Sequence, residues 1–174
     1  MSAEIGIRQG FLNDKLNISM TYFYVEYQDF IDNSAAKNIL AAKDQGIESQ
    51  VKLRLPYNIG ILINHTWQDA VDANGNRLQR RAKNNFSANL TKKYKNGISG
   101  LIGVRGRSSV RTKSSGSEVA EGFVTMRTAL SIEYNKNLTF TLRGENILDQ
   151  KYEEVYGFST QGASAFAGAT YNFN

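Results

Sequence analysis

Few residues of this chain have the chemistry or spacing of a catalytic or metal-binding site. There is one histidine, His65, and there is no cysteine, which excludes a disulfide framework and a thiolate metal site. His65 lies in "INHTW", near the end of a predicted strand, where a surface role is favoured over catalysis. Asp149, Glu153 and Glu154 lie together in "DQKYEEVYG", and we expect them to turn the chain rather than to form a general acid–base pair. The sequence therefore predicts a protein that is not an enzyme and binds no cofactor.

The basic residues are richest in two stretches, "RLQRRAK" (77–83) and "RGRSSVRTK" (105–113). The formal net charge is +5, but lysine and arginine are spread along the whole chain, and the aromatic residues do not lie among them, so nucleic-acid binding is not predicted. Two interpretations of the second stretch stay open. Arg107, Arg111 and Lys113 contact an anionic ligand, or they belong to a solvated loop.

Alternating strands must position these residues, because a period of two dominates the sequence. In "KLNISMTYFY" the apolar residues Leu16, Ile18 and Met20 alternate with polar ones, and successive side chains of a strand point to opposite faces. Further segments repeat the pattern, so the sequence predicts an all-β antiparallel fold with nine strands and no helix. The predicted strands lie near 3–11, 15–24, 46–56, 58–67, 84–93, 97–106, 123–134, 137–145 and 163–173.

Short and long connections between these strands alternate strictly. Tight turns are predicted at 13–15, 56–58, 95–97 and 135–137, and longer connections at 32–45, 68–82, 108–121 and 157–162. This alternation is typical of transmembrane β-barrels, whose strands need about 9–11 residues to cross a bilayer. A soluble antiparallel sandwich is the alternative. Nine strands would leave two unpaired edges in lipid, so we expect this chain to be part of a larger barrel.

The last part of the chain resembles a known family. "RGENILDQKYEEVYGFSTQG" (143–162), followed by a strand that ends in aromatic residues, is similar to the C-terminal end of TonB-dependent outer-membrane receptors. The phrases "YFYVEYQDFI" (22–31), "DQGIES" (44–49) and "RRAKNNFSANL" (80–90) resemble recurring phrases of the same family, in the expected order. The closest subgroup comprises the receptors for cobalamin, siderophores and haem.

The resemblance implies a barrel of 22 strands, of which residues 1–174 would form about the last nine, without the plug domain, the signal peptide or the TonB box. It implies that the complete receptor takes up a scarce nutrient complex through the outer membrane of a Gram-negative bacterium. The expected partners are outer-membrane lipid, lipopolysaccharide, the missing plug and strands, and the TonB complex, which acts only through a full-length receptor. Lipopolysaccharide phosphates are then a candidate for the anionic groups that Arg107, Arg111 and Lys113 would contact. We therefore expect that this chain alone does not transport. A self-contained pore or structural barrel of eight to ten strands is the alternative.

The resemblance also suggests roles for two groups of residues. In the first group, charged residues on the polar positions of the strands would line the lumen, where they hold the plug or are merely solvated. This group comprises Arg105, Arg127, Arg143, Glu133 and Glu145, with Arg54 and Glu48 in the same row. In the second group, Gly168, Tyr171 and Phe173 of the closing strand would form the signal for barrel assembly.

Overall fold

The computed structural model describes residues 1–32, 37–112 and 118–173, and it is built almost entirely of strands. One short 3₁₀ turn, Pro56–Asn58, is present, and the described residues contain no α-helix. In chain order the strands are β1 (Ser2–Phe11), β2 (Leu16–Asp32), β3 (Lys37–Leu55), β4 (Ile59–Asp72), β5 (Asn84–Lys93), β6 (Ile98–Arg107), β7 (Val110–Arg111), β8 (Val119–Ala120), β9 (Phe123–Glu133), β10 (Leu138–Glu145), β11 (Glu153–Val155), β12 (Phe158–Ser159) and β13 (Ser164–Tyr171).

Nine of these strands form a single antiparallel sheet, with the order β1-β2-β3-β4-β5-β6-β9-β10-β13. The pairs β7–β8 and β11–β12 form two small ribbons of their own. Within the described residues, β1 and β13 each have a neighbour on one side only, so the sheet is open. The predicted all-β antiparallel fold with nine main strands is confirmed.

The register of the sheet gives it one apolar face and one polar face. On the apolar face, Val51 lies opposite Ile63, and Ile61 lies opposite Leu90. On the polar face, Asn64 receives a hydrogen bond from Gln50 at 2.9 Å and donates one to Ser87 at 3.2 Å. Because the side-chain period of a strand is two, a slip of one residue would bury these amides in the apolar face.

The tight turns lie at one end of the sheet, as the sequence predicts. Asn13 and Asp14 adopt positive φ angles of 54° and 60° between β1 and β2, and short polar side chains tolerate this region better than branched ones. Gly97, at φ +79°, turns the chain into β6 with the backbone of Glu133 only 3.0 Å from where a Cβ would lie. We call this the short-turn end of the sheet.

The other end of the sheet differs from the sequence prediction, since β4 continues to Asp72 and two of the predicted connections change more strongly. The connection predicted at 32–45 is mostly strand, because β2 runs to Asp32 and β3 begins at Lys37. Regular β2–β3 pairing continues through this stretch, so backbone hydrogen bonds hold it without a regular apolar alternation. The connection predicted at 157–162 is longer, since β10 ends at Glu145 and β13 begins at Ser164. We call residues 146–163 the final connection.

Among the described residues, the buried apolar side chains lie toward the end with the long connections. The buried apolar residues are Ala42, Ala70, Leu78, Ala82, Val110, Ala120 and Phe123. In contrast, large side chains such as Ile5, Ile7 and Leu142 are 53–73% exposed on the apolar face. No second sheet covers that face within the described part of the chain, which does not fit the sandwich alternative. The described residues form no helix long and apolar enough to cross a membrane.

Candidate functional site

The final connection folds back over the polar face of the sheet and is held there by Arg107. This residue ends β6, and its Nη2 donates hydrogen bonds to the carbonyl oxygens of Glu153 and Glu154, each at 3.0 Å. The Arg107 guanidinium also lies over the ring of Phe123, 5.1 Å from its centroid. The expectation that Arg107 belongs to a loop is therefore wrong, because β6 pairs with β9 as far as Arg107 opposite Phe123.

Arg105 makes a second, looser contact between β6 and the final connection. Its Nη2 donates to the Tyr152 hydroxyl at 3.2 Å and lies 3.6 Å from Glu154 Oε1. The rings of Tyr152 and Phe123 pack with centroids 4.0 Å apart. Both side chains of the Arg105–Glu154 ion pair are 57% exposed, so this pair contributes little to stability.

A buried asparagine organises the final connection itself. Asn146 is 6% exposed, and its Nδ2 donates to the carbonyl oxygens of Gln150 and Gln161 at 2.9 and 3.3 Å. Its Oδ1 accepts the amide of Gln150 at 3.1 Å. Asp149 Oδ1 accepts the amide of Ala163 at 2.9 Å. These bonds join the start of the connection to its end.

The acidic residues of "DQKYEEVYG" have separate partners in the structure. Asp149 binds the backbone amide just before β13, Glu153 Oε2 accepts the amide of Gly157 at 2.8 Å, and Glu154 faces Arg105. None of these contacts pairs two carboxylates, and two of them close turns. The hydrogen bonds of Asp149 and Glu153 agree with the turning role predicted from the sequence.

The connection after β4 packs on the same polar face through a buried carboxylate. Asp44 is 5% exposed, accepts two hydrogen bonds from Gln68 Nε2 at 2.9 and 2.7 Å, and lies 3.8 Å from Arg81 Nε. Beside it, Leu78 packs on Ala42 and Ala70. A buried carboxylate needs such partners to offset its lost hydration, so this cluster fixes where Arg81 lies.

Asp72, at the end of β4 and beyond the apolar part of the strand, shapes the turn that leads to this cluster. Its Oδ1 accepts the amides of Asn74 and Asn76 at 2.9 and 2.8 Å. Loss of hydration opposes ionisation, but the hydrogen bonds from Asn76 and Asn74 outweigh it and leave the pKa of Asp72 below its ordinary value. The turn is therefore built around an ionised carboxylate.

A cationic cleft of about 570 Å³ separates the connection after β4 from the final connection. Among the described residues, its lining includes the four arginines Arg80, Arg81, Arg105 and Arg107 but only one carboxylate, that of Glu154. The connections around it are joined, because the Arg80 amide donates to the Arg111 carbonyl at 2.8 Å. Chemically, the cleft is suited to an anion or to an anionic ring system.

The other charged residues of the polar face lie outside this cleft. Arg127 on β9 donates from Nη2 to Asn89 Oδ1 on β5 at 3.0 Å. Glu133 pairs with Lys93 at 3.2 Å, toward the short-turn end. On β10, Arg143 pairs with Glu145 at 3.4 Å and lies over the Phe166 ring at 4.8 Å.

The structure thus separates the residues singled out in the sequence. Only Arg105 and Arg107 meet in the cleft; the Arg111 carbonyl joins two connections, and Lys113 lies outside the described residues. On the closing strand, Tyr171 and Phe173 pack edge to face at 4.8 Å, 54% and 90% exposed. Gly168 lies opposite Thr141 on the polar face, away from both rings.

Sequence reasoning missed several residues that build the cleft. Phe123 and Tyr152 lie 29 positions apart and meet only because the final connection folds back onto β9. The burial of Asp44 was also missed, because this residue lies in the connection that the sequence predicts at 32–45. A usable signal existed for Asn146 and Tyr152, because they begin and end the family phrase "NILDQKY" in a connection that must reverse the chain.

Comparison with known proteins decides the family. A family model for the β-barrel of TonB-dependent-receptor-like proteins matches residues 1–147. The chain belongs to this family. Members of this family are receptors, and the sequence resemblance to them is confirmed. No curated protein sequence matches the chain.

Solved structures of TonB-dependent receptors share the fold of this chain. The ferric-catecholate import receptor Fiu from E. coli K12 superposes with a TM-score of 0.81 at 20% identity, over 99% of this chain and 27% of that one. The ferripyoverdine receptor of the outer membrane of Pseudomonas aeruginosa gives 0.78 at 18% identity, over 99% and 27%. The ferric yersiniabactin uptake receptor FyuA from Yersinia pestis gives 0.79 at 15%, over 99% and 30%. The chain therefore spans less than a third of the length of these receptors, and the likeness shows the fold.

The polar face corresponds to the inside of such a barrel, and the apolar face to its lipid side. The cleft lies at the end of the sheet that carries the long connections. Among residues 1–32, 37–112 and 118–173, no cluster of three histidine or acidic side chains could hold a metal ion.

Proposed function

We propose that residues 1–174 are the C-terminal barrel portion of an outer-membrane receptor for TonB-dependent uptake of a ferric siderophore. The observation that carries the proposal is the family match over residues 1–147. The open sheet supports it, because both edge strands need partners inside a bilayer. Among the nutrient complexes that the sequence leaves open, the iron complexes are favoured over cobalamin by the named ligands of the solved relatives.

The remaining strands, a plug domain and the TonB complex are the partners that this function requires. In the assembled receptor, we assign Arg127, Arg143, Glu133 and Glu145 to the lumen wall that faces the plug, with Arg105 above them. The apolar face contacts outer-membrane lipid. Transport then requires the complete receptor, and the nine strands alone do not perform it.

The external connections and the last strand have separate roles in this proposal. Arg107 fixes the final connection, while Arg111 and Lys113 on the neighbouring connection contact anionic groups of lipopolysaccharide or ligand. Tyr171 and Phe173, with Gly168 on the same strand, form the assembly signal of the barrel.

The test is iron uptake in the bacterium that carries this gene. We expect deletion at the chromosomal locus to abolish growth on at least one ferric siderophore as the sole iron source, and reintroduction of the gene to restore it. Uptake must also stop when TonB is depleted. If the deletion strain grows normally on every siderophore but loses cobalamin or haem uptake, the receptor takes up that nutrient and not a ferric siderophore. Ion conductance by the isolated chain would favour the small-pore alternative.

A further inference from the structure

We propose that the cationic cleft is an anion site occupied in this structure by the receptor's own Glu154, and that it selects negatively charged ferric chelates over neutral ones. The inference rests on the proposed uptake function and specifies its ligand class. In this proposal Arg105 is the exchangeable ligand contact, and Glu154 is an internal competitor that an anionic chelate displaces.

The two arginines of β6 differ in the number and length of their hydrogen bonds and ion pairs. Arg107 donates from Nη2 to two backbone carbonyls and from Nη1 to the Ser108 carbonyl at 3.4 Å. The position of the final connection therefore depends on Arg107. Within the described part of the chain, the polar partners of Arg105 are the Tyr152 hydroxyl and the Glu154 carboxylate, at 3.2 and 3.6 Å. The guanidinium of Arg105 can therefore exchange partners without opening the fold.

The Arg105–Glu154 contact is the kind of ion pair that a ligand can replace. Both of its side chains are exposed, and its N···O distance of 3.6 Å is longer than that of a well-formed charge-assisted hydrogen bond. Exposed pairs of this kind contribute little free energy. A chelate that brings more negative charge than one carboxylate gains more from the same guanidinium than Glu154 does.

The rest of the cleft matches the same ligand class. Arg80 and Arg81 line the opposite wall, and only Arg81 has a carboxylate near it, at the 3.8 Å distance of Asp44. Arg105 lies 5.8 Å from the Phe123 centroid, and this buried ring lines the cleft beside the exchangeable cation. Neutral chelates gain nothing from this excess of positive charge, whereas ferric catecholate complexes carry a net negative charge and aromatic rings.

The experiment compares two probes in the receptor edited at its chromosomal locus. One probe is a ferric tris-catecholate, which is anionic, and the other is a ferric tris-hydroxamate, which is neutral. We expect Arg105→Ala to weaken tris-catecholate binding roughly tenfold or more, as expected for loss of a charged contact. Glu154→Gln should strengthen it roughly two- to five-fold, the range of an exposed ion pair. The control is Glu4→Gln, which removes an exposed carboxylate of β1 outside the cleft lining and should leave binding unchanged.

The outcomes separate this inference from the proposed function. Preference for the neutral probe, or equal binding of both probes, would overturn the selectivity while leaving siderophore uptake intact. Weaker tris-catecholate binding by Glu154→Gln would overturn the competitor role. Because the expected result for this variant is a gain in binding, a folding defect could not imitate it. Binding of neither probe, together with normal iron uptake in the deletion strain, would refute the proposed function itself.

Discussion

Arg127 reaches across a whole strand to Asn89, with its Nη2 3.0 Å from the amide Oδ1. The strand between them is β6, and Gly103 lies directly opposite both residues in the register. A Cβ on Gly103 would lie 2.6 Å from Asn89 Oδ1 and 3.0 Å from Arg127 Nε. The absence of a side chain at this position therefore lets one hydrogen bond connect β9 to β5 across β6 on the polar face.

We expect Gly103→Ala to destabilise the barrel by about 0.5–1.5 kcal/mol, because the Asn89 and Arg127 side chains must move apart and lose their hydrogen bond. The measurement is the temperature at which the receptor loses its folded mobility in detergent electrophoresis. Gly100→Ala on the same strand is the control, because its nearest neighbour would be the Ala129 carbonyl at 3.9 Å. An equal drop in this temperature for both substitutions would show that the close contacts at Gly103 do not determine the stability.

Removing the guanidinium of Arg107 should release the final connection. Arg107→Ala removes hydrogen bonds from a charged donor, each of which contributes about 1.5–3 kcal/mol, and leaves the Glu153 and Glu154 carbonyls without that donor. We expect cleavage between residues 146 and 163 by an added protease to become at least roughly tenfold faster. The matched control is Arg111→Ala, since no side-chain contact joins Arg111 to this connection among the bonds described. Unchanged cleavage in Arg107→Ala would argue that the connection is held by other contacts.

Asn146 allows a sharper substitution, because aspartate keeps its size and reverses one hydrogen-bonding role. In Asn146→Asp an oxygen replaces the Nδ2 group that donates to Gln150 and Gln161. Acceptor would then face acceptor in a site that is 6% exposed, and unsatisfied buried groups cost about 1–3 kcal/mol each. We expect faster proteolysis of the final connection and a lower unfolding temperature. Gln150→Ala, which removes only an exposed amide bonded to the Lys151 carbonyl, should behave like the unmodified protein.

The closing strand offers a prediction about assembly rather than stability. Phe173 is 90% exposed and contacts Tyr171 edge to face, so Phe173→Ala should remove few folding contacts. We nevertheless expect a several-fold lower amount of folded receptor in the outer membrane, measured as the heat-modifiable fraction. Phe158→Ala, at a similarly exposed aromatic of the final connection, is the control. A normal folded fraction in Phe173→Ala would exclude Phe173 from the assembly signal.

The nine strands could be predicted because the membrane imposes a pattern on the sequence. A strand in lipid must present an apolar side chain at every second position, and "NIGILINHTW" or "FVTMRTALSIEY" shows this alternation directly. Beyond the apolar band the requirement disappears. For that reason the extension of β2 to Asp32 and the start of β3 at Lys37 had no sequence signal, although backbone pairing continues there.

The cleft could not be predicted because its contacts join distant parts of the chain without any periodicity. Arg107 binds the backbone of residues 46 and 47 positions away, and backbone carbonyls have no sequence signature. The carboxylate of Asp44 is buried only because Gln68 and the connection after β4 cover it. The sequence could show which strand positions face the lumen, but not which connection folds over them.

The size of the polypeptide that carries this segment tests the central claim most directly. Outer membranes of the source bacterium, separated by electrophoresis and probed with an antibody against residues 146–163, would show it. We expect a heat-modifiable band at about three to four times the 19.4 kDa of this chain, since the chain covers 27–30% of the length of the solved relatives. A folded, heat-modifiable band at 19.4 kDa with no larger species would contradict it.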